Sequence, residues 1–152
     1  MKLAEALQER ADLNKKIDEL KERMRNCILV QEGEEPVEDP AELLKELDGA
    51  VERLGKLMAA INLTNSRTKA EGMSLTQLIA RKDALTVQHA AYRDLVYTAG
   101  QNTSRARGTE IKVKALLKAS ELQKKADLMA KEIRQLDNLL QETNWKTKLI
   151  EL

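Results

Sequence analysis

Three polar residues, Asn62, Thr64 and Asn65, interrupt an apolar run that ends at Ala60-Ile61. At helical period Asn65 stands one turn beyond Ile61, on the face that carries Leu54 and Met58, so an amide arrives where an aliphatic side chain is expected. Arg10 breaks an N-terminal heptad in the same way, and Lys82 and His89, the single histidine, fall on a third apolar stripe with Asp83 beside it. Buried polar groups without partners cost about 1–3 kcal/mol each, so Arg10, Asn62, Asn65, Asp83 and His89 would have to join one hydrogen-bonded network if they face inward. Two chemistries follow. An imidazole flanked by carboxylate and amides is an acid–base pair in outline. The same groups on helix seams otherwise specify register and partner, or hold a small anion. A metal-bridged helical site asks for Glu-x-x-His on two helices, whereas Thr86 stands three residues before His89. His89 therefore reads first as a satisfied histidine of a bundle, with no metal or cofactor expected and an enzyme as the second reading.

The elements that must position these residues are helices. Charged residues are 34% of the 152, aromatics 2%, and Phe is absent, a composition of long helices packed by aliphatic side chains. The length suits one domain, 1–152. Periodicity predicts helices over about 2–25, 41–65, 75–99 and 120–143. Their seams are Leu3-Ala6-Arg10-Leu13-Ile17-Leu20-Met24-Cys27; Leu44-Leu47-Val51-Leu54-Met58-Ile61-Asn65; Leu75-Leu78-Lys82-Leu85-His89-Tyr92-Val96-Ala99; and Leu122-Ala126-Met129-Ile133-Leu136-Leu140-Thr143. Four such helices of about 25 residues, roughly 38 Å each, predict a mainly all-α fold, an elongated antiparallel four-helix bundle of coiled-coil character. Trp145 reads as an end-cap of that core.

Local signals set the boundaries. Asp39 followed by Pro40 predicts a helix start, and Ser74 with Gln77 three residues on is a capping box. Two short runs, about 27–31 and 109–114, favour strand, and an unpaired strand leaves its backbone groups unsatisfied. They are expected to pair as a small ribbon.

Net charge is +1, so no global field draws the protein to nucleic acid or to an anionic membrane. Residues Arg105, Arg107, Lys112, Lys114 and Lys118 form a local basic stretch without interleaved aromatics, which is also how an edge strand stays soluble. Nucleic acid is not an expected partner. Five acids among residues 32–39 lack the alternating oxygen ligands of a calcium loop. Cys27 is the only cysteine, which excludes an intrachain disulfide and suits a reducing compartment. With no signal peptide at Met-Lys-Leu-Ala-Glu-Ala-Leu and no run of membrane-spanning length, a cytoplasmic protein is expected. Leu43 beside Leu44, Leu78 beside Ile79 and Leu139 beside Leu140 widen the apolar faces beyond one seam, so homo-oligomerisation is expected.

The opening Met-Lys-Leu-Ala-Glu-Ala-Leu-Gln-Glu-Arg-Ala-Asp-Leu, the Val-Gln-Glu-Gly-Glu-Glu-Pro stretch, Ile-Asn-Leu-Thr-Asn, Glu-Ile-Lys and the closing Asn-Trp resemble the septicolysin-like family of small bacterial helical proteins, over nearly the whole chain. The resemblance implies a bacterial cytoplasmic setting and a role in fold or site for Arg10, Asn62, Thr64, Asn65, Asp83 and Asn144. It also implies cytolysis as an alternative function, one that needs a segment able to enter a bilayer; every helix here pairs its apolar stripe with dense charge.

Overall fold

Helix α1 covers Leu3–Arg25, α2 Pro40–Arg67, α3 Leu75–Ala99 and α4 Ala119–Lys146, in a computed structural model that describes residues 1–103 and 111–151. The fold is mainly all-α with one small ribbon, β1 (Lys69–Ala70) paired with β2 (Met73–Ser74). Helix starts follow the local chemistry. Asp39 Oδ1 accepts from the Ala41 N–H at 2.9 Å with Pro40 in the first turn of α2. Ser74 and Gln77 close a reciprocal box at the start of α3, Gln77 N–H to Ser74 Oγ at 3.2 Å and Ser74 N–H to Gln77 Oε1 at 2.9 Å.

The chain divides into two compact units, Met1–Lys69 with Thr143–Leu152, and Ala70–Glu142. In the first, α1 and α2 form an antiparallel hairpin. Its direction and register are read from ion pairs: Glu9 with Arg53, Lys16 with Glu46, and Arg23 with Glu38 just ahead of α2. Between them Leu20, Cys27 and Leu43 pack with Met24 and Leu47. The seam predicted for α1 is the covered one, with each position buried or half-buried except Arg10, which stays exposed. In α2 the buried row is Leu43, Ala50, Leu57, Ile61 and Thr64. The row one residue on is left half-open, with Leu44, Val51 and Met58 exposed by 47%, 49% and 45%. The apolar arc of α2 is wider than one neighbouring helix covers, and α1 takes the Leu43 edge of it.

In the second unit α3 and α4 run antiparallel, since Lys82 pairs with Asp137 while Leu95 and Ala99 lie near Leu122. A half-buried row Lys82-Leu85-His89-Tyr92-Val96-Ala99 marks the covered side of α3 and coincides with its predicted seam.

Among the described residues the ribbon is not formed by 27–31. The N–H groups of Cys27 and Ile28 both donate to the Met24 carbonyl, at 3.1 and 2.8 Å, so this run closes the last turn of α1. Strand preference of Ile and Val reports fit to a half-buried pleated surface, and none is offered here: Ile28 and Leu29 are 59% and 86% exposed. Residues 109 and 110 lie outside those described, and 111–114 join no strand of the sheet. The ribbon forms instead around Glu71 at φ 50 and Gly72 at φ 81. Two positive φ angles in a two-residue loop give the twist a tight hairpin needs. Trp145 also departs from expectation, being 53% exposed at the end of α4.

Candidate functional site

The polar residues singled out by sequence divide between the two units. Arg10, Asn62, Thr64, Asn65 and Asn144 belong to the first, Asp83 and His89 to the second. Within the first, the register of the hairpin sets Arg10 level with Glu52, about ten residues or roughly 15 Å along the axis from Asn62. Both side chains are exposed, Asn65 is half-buried, and Thr64 and Asn144 are buried. In the second unit Asp83 and His89 are six residues apart, which at about 100° per residue turns them roughly 120° from each other around α3. Asp83 is exposed and His89 half-buried, so α3 itself does not present them as an acid–base pair.

Thr64 is the most enclosed of these groups, at 0% exposure. Its hydroxyl donates to the Ala60 carbonyl at 2.8 Å and accepts the Ile150 N–H at 2.9 Å. Around it the two ends of the chain are tied together. Lys2 and Lys148 form an antiparallel bridge, with Leu3 N–H to the Thr147 carbonyl at 2.9 Å and Leu149 N–H to the Met1 carbonyl at 3.0 Å. Lys2 N–H also donates to Glu5 Oε2 at 2.6 Å, closing the first turn of α1. Leu3 and Ala6 of α1 and Leu57 and Ile61 of α2 are all buried. No buried side-chain nitrogen or oxygen among the described residues lacks a partner. The arrangement is a structural clasp; it leaves no orphaned donor or acceptor for a ligand.

The electrostatics concentrate on the α1–α2 hairpin. Arg53 places Nε 2.6 Å from Glu9 Oε1 and a terminal nitrogen 2.8 Å from Oε2, a bidentate pair whose hydrogen bonds hold the Glu9 carboxyl below the usual carboxylate range. Hydrogen bonding to Arg23 lowers Glu38 in the same sense, and Lys16 at 2.8 Å lowers Glu46. None of these residues was singled out from the sequence as a site. The available signal was a row of charges at seven-residue spacing, Glu9, Lys16 and Arg23 on one helix, matched in opposite sign by Arg53 and Glu46 on the other. On α3 and α4, Arg81 pairs with Glu132 and Lys82 with Asp137.

No group of three or more His, Cys, Asp or Glu among the described residues is placed to hold a metal ion. A surface cavity of about 430 Å³ lies in the second unit, lined by Leu95, Ala99, Val113, Leu116, Leu117 and Leu122 among others. Leu116 and Leu117 stay 90% and 62% exposed, so the cavity is an open groove. No helix among the described residues is long and apolar enough to cross a membrane.

No curated protein matches the chain. Among solved structures it is similar to one described as the crystal structure of a functionally unknown conserved protein from Corynebacterium diphtheriae. That similarity covers 99% of each chain, with 41% identity and a TM-score of 0.90. The sequence pattern of a family of unknown function matches residues 10–149, a span that takes in most of α1, all of α2, the ribbon, α3 and α4, and the chain belongs to that family, DUF6847.

Proposed function

We propose that this protein acts through self-association, as a non-enzymatic helical module whose α3 completes its packing against a second copy. One observation carries the reading. From Ile79 to Ala99 no residue of α3 is buried, although Ala84–Tyr92 contain no Asp, Glu, Lys or Arg. A helix that is apolar on several sides belongs in an interior. Here the row facing α4 and Ile79 are half-covered, while Val87, Leu95 and Tyr97 remain 72%, 47% and 73% exposed. Burying apolar surface contributes about 25 cal/mol per Å², so three such side chains, with the alanines between them, favour a partner.

The test is a substitution on the uncovered side. Tyr97→Glu should weaken association while leaving helix content unchanged by circular dichroism; equal association by variant and parent would remove α3 from the interface. Cytolysis, which the septicolysin-like resemblance implies, would need exposed apolar side chains to enter a bilayer, and those of α3 are among the ones on offer. Dye release from liposomes at neutral pH would favour that reading over self-association.

A further inference from the structure

We infer that the second copy lies antiparallel against α3, across a two-fold axis level with Gln88. This rests on the self-association proposed above and names its geometry. Ile79, Asp83, Thr86, Ala90, Arg93 and Tyr97 are spaced 4, 3, 4, 3 and 4 apart, the spacing of a helix seam. Ile79 is half-buried and the other five are exposed. The row lies about 100° around the helix from the half-buried Lys82-Leu85-His89-Tyr92-Val96-Ala99 row, so α4 does not occupy it.

The spacing is the same read in either direction. Turning α3 end over end about residue 88 lays Ile79 on Tyr97 of the partner subunit, Asp83 on Arg93 of the partner subunit, and Thr86 on Ala90 of the partner subunit. An isologous interface repeats each contact, so the Ile79–Tyr97, Asp83–Arg93 and Thr86–Ala90 pairings each occur twice, giving two ion pairs in all. Orientation follows from charge. A parallel, in-register pair would set Asp83 on Asp83 of the partner subunit and Arg93 on Arg93 of the partner subunit, and like charges face to face at an interface are strongly disfavoured. Among the described residues neither the Asp83 nor the Arg93 side chain is engaged within the chain, so both are available. At the centre the Thr86 hydroxyl is already spent on the Lys82 carbonyl at 2.9 Å, which leaves its methyl group, with Ala90, to permit close approach.

Pairwise cross-linking of the full chain tests the arrangement, with copper phenanthroline as the oxidant and Cys27→Ser as background. Chains carrying Thr86→Cys mixed with chains carrying Ala90→Cys should give a disulfide-linked dimer that neither gives alone. Charge exchange supplies the second arm: Asp83→Arg and Arg93→Asp should each raise the dissociation constant roughly tenfold or more, and the double variant should recover most of it. Self-linking of Thr86→Cys alone would mean parallel helices and overturn the pairing. Linking of Ala84→Cys to Ala91→Cys chains, with none between 86 and 90, would move the partner to the neighbouring alanine face and also overturn it. An oligomer with no cross-link at 86 and 90 overturns the geometry but not self-association; a monomeric parent protein overturns both.

Discussion

Ile150 donates its backbone N–H to the Thr64 hydroxyl at 2.9 Å, joining residues 86 apart in sequence through one oxygen that also serves the Ala60 carbonyl. A single threonine thus ties the C-terminal segment to α2, beside the bridge that ties it to the N-terminus.

Thr64→Val keeps the shape and removes both hydrogen bonds, leaving the Ile150 N–H without its partner. The expected cost is about 1–3 kcal/mol, or a drop in Tm of roughly 2–4 °C per kcal/mol for a chain of this size. Thr64→Ser should fall less. Thermal unfolding followed by circular dichroism checks this, and equal melting of the Thr64→Val and Thr64→Ser variants would show that the hydroxyl contributes nothing.

Acid should loosen the hairpin before it disturbs the ribbon. Glu9, Glu38 and Glu46 titrate below their ordinary 4.5 in the folded state because Arg53, Arg23 and Lys16 hydrogen-bond the charged form. Their contribution is therefore fully present above pH 4.5 and is lost as pH falls through the lower folded values. Urea unfolding at pH 7 and at pH 3 should show the loss, and Glu9→Gln should shrink the difference. Because these side chains are largely solvent-exposed, the difference should also diminish in high salt.

The ribbon turn is strained at one position and satisfied at the next. Glu71 holds φ 50 with a side chain that disfavours it, whereas Gly72 at φ 81 does not. Glu71→Gly should raise stability by up to about 1 kcal/mol, and Gly72→Ala should lower it by about 1 kcal/mol or more. Opposite shifts in Tm are the expected result; shifts of the same sign would contradict the turn assignment.

Much of this architecture was legible in the sequence because it is written in local chemistry. Asp39-Pro40 and Ser74 with Gln77 start helices where they stand, and the α3 seam through Leu85, His89 and Tyr92 emerged at the right phase. What failed was whatever depends on distant cover. Leu44, Val51 and Met58 match helical period as well as Leu43, Ala50 and Leu57 do, and only the position of α1 decides which row is buried. Ile28, Leu29 and Val30 carry strand preference but have no surface to lie on. The polar cluster combined Arg10 and Asn62 on the strength of periodicity alone, while the register of the hairpin, set by Glu9 with Arg53, keeps them apart along the helix axis. Glu71 as a left-handed residue had no signal beyond the glycine after it.

The proposed role depends above all on whether α3 is covered by another copy of the chain. Multi-angle light scattering of the protein at micromolar concentration and neutral pH measures this directly. A molar mass that is a whole multiple, two or greater, of 17.2 kDa is the predicted result. A mass of 17.2 kDa held unchanged as concentration rises would contradict it.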